Sequence, residues 1–178
     1  IPELIEFAKK EHIAITIVGP EIPLAAGIVD AFQAANLKIF GPTQQAAQLE
    51  TSKIFAKEFM QRHHIPTATY ASFTDPVLAH QYIDQKSAPM VVKADGLAAG
   101  KGVVVAQTNE QAHSAVNTLL VERNLGSAGN EIIIEEFLQG VEVSFIVMTD
   151  SQHILPLATS QDHKRLYDGE LGPNTGGM

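Results

Sequence analysis

The stretch Met90–Gly102 reads MVVKADGLAAGKG, and it decides the fold class of the chain around it. Met90, Val91 and Val92 form an apolar run with two β-branched residues, which predicts a strand closed by Lys93. Asp95 to Lys101 hold Gly96, Gly100 and a second lysine, and Gly102 opens another apolar run, Val103 to Ala106. The order is strand, glycine-rich loop, strand, so the segment predicts a hairpin. Glycine lets backbone N–H groups approach an anion closely. Lys93 and Lys101 add charge that suits a polyphosphate. The alternative is a glycine-rich hairpin turn without a ligand.

Two familiar phosphate motifs do not fit. A P-loop needs four residues between its glycine and Gly-Lys, then Ser or Thr and a helix. Here Leu97, Ala98 and Ala99 alone separate Gly96 from Gly100, and Gly102 stands where the hydroxyl would be. The dinucleotide fingerprint fails as well, because a strand and not a helix comes after the last glycine.

Upstream of the hairpin the periodicity changes. Pro2 to Lys10 predict an amphipathic helix, Ile13 to Val18 a continuous strand ended by Gly19-Pro20, Leu24 to Ala35 a helix, and Leu37 to Phe40 a strand. This order implies a parallel, doubly wound sheet, in which ligands bind beyond the carboxyl ends of strands. Gly19, Pro20 and Glu21 sit at such an end, with a plain strand-to-helix turn as the alternative. Glu50 to His63 predict a longer helix, Thr69 to Phe73 a strand and Pro76 to Gln85 a helix. Downstream, Asn109 to Leu120 predict a helix, Glu131 to Glu135 a strand, Glu142 to Met148 another, and His153 to Thr159 a returning partner. Parallel units before residue 42 and antiparallel hairpins after residue 88 imply two domains, 1–42 and 43–178.

Composition narrows the class. Of the 178 residues, 45% are hydrophobic and 18% charged, which suits a globular core. Formal net charge is −8, against nonspecific nucleic-acid binding. Cysteine is absent, excluding disulfides and thiolate metal sites, in agreement with a cytoplasmic protein. No apolar run reaches the length of a membrane span. His63-His64 offer no paired metal-ligand spacing. Ile1 and the glycine-rich end Gly172 to Met178 suggest an internal piece of a longer protein.

Several residues are candidates for a site. Lys53 lies in Glu50-Thr51-Ser52-Lys53, where a surface lysine is the ordinary reading. Lys93 ends a buried strand and needs an anion: a phosphate, or else Asp95 or another nearby carboxylate. Glu135, Glu136, Phe137 and Leu138 join two strands. An extended connector of this kind can read an adenine ring through its backbone, with Glu142 accepting from ribose hydroxyls. A solvated hairpin is the alternative. Asp162-His163-Lys164-Arg165 mix both charges and can position a phosphoryl group or an anionic substrate, or simply form a solvated loop.

Taken together, Lys53, Lys93, the loop Asp95 to Gly102, the hinge Glu135 to Leu138, and Glu142 resemble an ATP-grasp enzyme. The strings VGPEIPLAAGI, IFGPT, LETSKIFAKEF, IPTATY, KADGLAAGKGV, IEEFLQGVEVSFIVM and ATSQDHKR, then GPNTGGM, are similar to the glycinamide ribonucleotide synthetase family over essentially the whole chain. The resemblance implies an ATP-dependent ligase of purine biosynthesis. ATP phosphorylates the carboxylate of glycine, and the amine of 5-phosphoribosylamine displaces phosphate to form an amide. By motif, Lys53 and Lys93 would hold the α- and β-phosphates. Gly96, Gly100, Lys101 and Gly102 would close over the triphosphate. Glu135 and Leu138 would read adenine, with Glu136 and Phe137 beside them, and Glu142 would bind ribose. Lys164 with Asp162 would meet the reacting phosphate and substrate, and Gly19, Pro20 and Glu21 would face the phosphoribosyl group.

Mg²⁺ (or Mn²⁺) would accompany ATP, with its Glu and Asn ligands expected beyond Met178 and none within the chain. The family's amino-terminal glycine-rich motif is expected before Ile1, so catalysis is not expected from these residues alone. Two alternatives stay open: another ATP-grasp ligase or carboxylase, and a nucleotide-binding module without catalysis.

Overall fold

A computed structural model describes residues 1–98, 102–163, 165–169 and 171–175. The chain divides into two compact units, Ile1–Phe137 and Leu138–Met178.

The first unit opens with α1 (Pro2–Lys10), where Pro2 suits the first turn and Lys9 and Lys10 face the negative end of the helix dipole. β1 (Thr16–Ile17) and β2 (Ile39–Phe40) pair in parallel, Thr16 opposite Ile39 and Ile17 opposite Phe40. The strand expected over Ile13 to Val18 is therefore shorter. Ile15 and Ile17 are exposed, and only two residues find a ladder partner. The helix expected over Leu24 to Ala35 is two helices, α2 (Glu21–Ala25) and α3 (Ile28–Ala34). The break is Gly27, whose φ of +80° no helix accommodates. Gln44 secures the corner: its backbone N–H donates to Asp30 Oδ2 at 2.7 Å and its side-chain amide to the Ala25 carbonyl at 2.9 Å. Ala8, Ile28, Val29 and Phe32 make the small core here.

The helix expected over Glu50 to His63 is also divided, into α4 (Gln48–Thr51) and α5 (Lys53–Arg62). Ser52 is extended, with φ −130° and ψ 115°, and its hydroxyl caps α5 by accepting from the Phe55 N–H at 3.0 Å. After β3 (Tyr70–Phe73), α6 (Pro76–Lys86) begins at Asp75, whose carboxylate accepts from the Val77 N–H. β4 (Met90–Ala94) and β5 (Val103–Ala106) form the antiparallel hairpin expected from sequence, Met90 opposite Ala106 and Lys93 opposite Val103. Thr108 caps α7 (Asn109–Val116), which continues as one π-helical turn, Asn117–Val121. A 3₁₀ turn at Gly126–Gly129 precedes β6 (Ile132–Glu136).

Four of these strands build one antiparallel sheet in the order β3-β6-β4-β5. Alternation sorts its faces. Met90, Val92, Ala94, Ile132, Ile134 and Ala106 point to a core shared with Ala79 and Ile83 of α6 and Ala112, Ala115 and Val116 of α7. Val91, Lys93, Ile133, Glu135, Val103 and Val105 alternate onto the opposite face.

The second unit holds two hairpins. β7 (Val147–Thr149) pairs with β8 (Ile154–Pro156), and β9 (Arg165–Tyr167) with β10 (Leu171–Asn174), both antiparallel. The strands expected over Glu142 to Met148 and His153 to Thr159 are shorter, although pairing persists through the Leu157 N–H to the Ile146 carbonyl and a Ser144–Ser160 bridge. Asp150 Oδ1 holds the turn by accepting from the backbone N–H groups of Gln152 and His153 at 2.9 and 2.7 Å. Among the described residues, no helix is long and apolar enough to cross a membrane.

Candidate functional site: a cavity ringed by lysines

A cavity of about 400 Å³ lies in the first unit, on the sheet face away from α6 and α7. Lys93, Glu135 and Val103 line it from the sheet, and Lys53, Lys57 and Met60 from α5. The α5 residues are spaced by four and three, so one helical face supplies them all. Leu97 and Ala98 border it from the glycine-rich loop, and Glu21 from the start of α2.

Asp95 sets the position of Lys53. Its Oδ1 accepts from the Ile54 N–H at 2.8 Å and the Ser52 hydroxyl at 3.1 Å, placing a carboxylate at the positive end of α5. Lys53, in the first turn, donates its ammonium to the carbonyls of Asp95 and Gly96 at 3.2 and 3.1 Å. Burial lowers its pKa from the usual 10.5; Asp95 opposes that shift and Lys93 adds to it.

Of the partners expected for Lys93, a phosphate, Asp95 or another nearby carboxylate, the structure shows the last: its ion pair is with Glu135. Nζ is 2.7 Å from Glu135 Oε2. Glu135 is buried, 7% exposed, and its other oxygen lies 3.5 Å from Lys57 Nζ. Lys57 is equally enclosed and donates to Thr67 Oγ1 at 2.8 Å and the Ala68 carbonyl at 3.1 Å. Burial lowers its pKa too, with Glu135 pulling the other way. Three ammonium groups thus gather around one buried carboxylate, Glu135, and make this side of the cavity locally positive, while Glu21 and Glu50 also line it. Such an arrangement attracts a polyanion.

Two glycines of the loop act through close packing and not through unusual backbone angles. Gly96 and Gly102 do not adopt positive φ. A Cβ on Gly102 would lie 2.8 Å from Ala98 Cβ and 3.2 Å from Leu125 Cδ1, and one on Gly96 would lie 3.0 Å from Ala128 Cα. Close packing of the loop on the 125–129 segment requires glycine at both. Gly100, Lys101 and Lys164 lie outside the described residues.

Glu135 stands in register between Tyr70 and Val91, so its backbone belongs to the sheet. Glu136 ends β6 and accepts the Thr69 N–H at 3.0 Å, which holds its carboxyl below the usual range. Phe137 and Leu138 come next, both exposed. Gly19 and Pro20 precede α2 without lining the cavity. Glu142 and Asp162 belong to the second unit. Sequence reasoning missed Lys57, whose only signal was its place four residues after Lys53 in LETSKIFAKEF. Among the described residues, no group of three or more His, Asp or Glu side chains gathers as a metal site.

The model of the phosphoribosylglycinamide synthetase ATP-grasp (A) domain matches residues 51–178, and that of the N domain matches residues 1–50. The chain is 62% identical over 176 residues to a phosphoribosylamine–glycine ligase of Neisseria meningitidis serogroup B, covering 99% of this chain and 42% of that protein. It is 61% identical over 178 residues to the Escherichia coli K12 phosphoribosylamine–glycine ligase, covering 100% of this chain and 42% of that protein. It therefore spans about two fifths of the length of these curated relatives. A crystal structure of the Thermotoga maritima phosphoribosylamine–glycine ligase matches with a TM-score of 0.73 at 38% identity, over 79% of this chain and 36% of that one. Biotin carboxylase of Campylobacter jejuni, in complex with a β,γ-ATP compound, shares the fold at a TM-score of 0.73 and 20% identity, over 87% and 36%. Lys53, Lys57, Lys93 and Glu135 thus lie in the stretch that matches the ATP-grasp (A) domain, and the chain belongs to the phosphoribosylglycinamide synthetase family.

Proposed function

We propose that the protein carrying this chain is an ATP-dependent ligase joining glycine to 5-phosphoribosylamine, a step of purine biosynthesis in the cytoplasm. The reaction would proceed through glycyl phosphate to glycinamide ribonucleotide, ADP and phosphate. The carrying observation is the lysine cluster of the cavity, where Lys57 and Lys93 pair with the buried Glu135 and Lys53 lines the same wall, with Glu21 and Glu50 also bordering the space. The ammonium groups of Lys53 and Lys93 are donors that fit a triphosphate. Phosphoryl transfer depends mainly on such positioning and charge stabilisation.

Lys53 and Lys93 take the α- and β-phosphates in this reading, with Gly96, Gly100, Lys101 and Gly102 as the covering loop. Glu135 contributes its carboxylate to the lysines, and the stretch past it, Glu136 to Leu138, presents backbone to the adenine. Glu142 serves the ribose, and Lys164 with Asp162 the reacting phosphate. Gly19, Pro20 and Glu21 serve the phosphoribosyl side, a role supported by Glu21 at the cavity wall. Residues 1–42 then act with the substrate-holding domain and residues 43–178 with the ATP-grasp domain. Mg²⁺ (or Mn²⁺) accompanies ATP and supplies charge neutralisation, and no residue of this chain is assigned to it.

Holding glycine and the amine across one cleft makes a bimolecular step effectively intramolecular. A coupled ADP-release assay with omitted and substituted substrates tests the assignment. ADP release is expected only when ATP, glycine and 5-phosphoribosylamine are all present. Equal turnover with bicarbonate or another amino acid in place of glycine would reject the ligase named here and leave an ATP-grasp enzyme of different specificity.

A further inference from the structure

We infer that Lys57 is a positioning residue for the triphosphate: it holds the charge of Glu135 so that Lys93 is free to turn to phosphate. The inference rests on the reading of the cavity as a nucleotide site and assigns Lys57 a part in it. Lys57 is enclosed, and its ammonium is committed to Thr67 Oγ1, the Ala68 carbonyl and Glu135 Oε1 at 2.8, 3.1 and 3.5 Å. It has little left to offer a ligand. Lys93 is placed otherwise. Its side chain is 26% exposed, and its hydrogen-bond partner, Glu135 Oε2 at 2.7 Å, is the same carboxylate.

Charge decides the division of labour. Two ammonium groups and one carboxylate leave the trio with one excess positive charge. When Lys93 moves to an anion, Glu135 keeps Lys57 as its counter-ion. Without Lys57, the same movement strands a carboxylate that is 7% exposed, and a buried charge without a partner is strongly disfavoured. Lys93 would then stay on Glu135, and the cavity would lose a partly exposed ammonium to an internal pair.

The test is calorimetric titration of ATP into the unaltered protein and two variants, with thermal melting as a control for folding. Lys57→Met should weaken ATP binding on the order of tenfold, although the residue does not reach the nucleotide. Lys57→Met with Glu135→Gln should recover most of that loss, because an amide no longer captures Lys93. A purely structural Lys57 would show no such recovery, since the second substitution would add to the damage. Unchanged affinity in Lys57→Met overturns the inference, as does a double variant no better than the single one. No ATP binding by the unaltered protein would remove the proposed function together with this inference, so the two failures are distinct.

Discussion

The sheet of the first unit and the first hairpin of the second are built from similar apolar strands, and their surroundings differ sharply. Ile132, Ile133 and Ile134 of β6 are at most 1% exposed, while Ile154 and Leu155 of β8 are 69% and 62% exposed. β6 has strands on both sides and helices α6 and α7 on one face. Among the described residues, β7 and β8 pair only with each other, and their unit contains no helix. Strand sequence sets which side chains share a face; burial depends on what packs against it. The contrast also separates roles, because a buried framework can hold Lys93 and Glu135 at 2.7 Å.

The largest effect should come from breaking the buried side of this contrast. Ile134→Ala removes a side chain that is 1% exposed and should cost about 2–5 kcal/mol of stability in denaturant unfolding. The matching Leu155→Ala on β8 should stay within about 0.5 kcal/mol. Equal losses would mean that the hairpin is as well packed as the sheet. Next, Gly129→Ala should destabilise by about 1–3 kcal/mol, because a Cβ there collides with the Leu119 carbonyl oxygen beside the π-helical turn.

Ser52→Ala should cost about 1 kcal/mol by removing the cap of α5 and its bond to Asp95. It should also raise the KM for ATP, since Lys53 comes directly after the cap. The smallest effect concerns pH. A lysine whose pKa is lowered from 10.5 loses its proton at lower pH than a free one, and only the protonated amine attracts phosphate. ATP affinity should therefore begin to fall below pH 10.5 as pH rises, with proton uptake on binding across that range. Calorimetry in buffers of different ionisation enthalpy reads this directly, and zero uptake at every pH would argue against Lys53 as a phosphate contact.

Local signals in the sequence were enough for the β4–β5 hairpin, whose glycine-rich turn separates two valine runs, and for α1 and α6, which start at prolines. The division at Gly27 also had a local signal, a glycine inside an apolar run, but the apolar periodicity on both sides read as one continuous helix. Ser52 was different: its break is fixed by Asp95, 43 residues away. The same distance effect hid the partner of Lys93. Asp95 is its neighbour in sequence, but Glu135 faces it because β4 and β6 pair with Val91 opposite Glu135, which sets Lys93 and Glu135 diagonally on one face. Lys57 carried the weakest signal, since spacing places it beside Lys53 without showing that it is enclosed.

The central claim is that the lysine-lined cavity holds a triphosphate, and ATP titration of the unaltered protein against Lys93→Ala tests it most directly. A charged hydrogen bond is worth about 1.5–3 kcal/mol, so the variant should bind ATP at least about tenfold more weakly while melting as a folded protein. Equal ATP affinity in the two proteins would contradict the account.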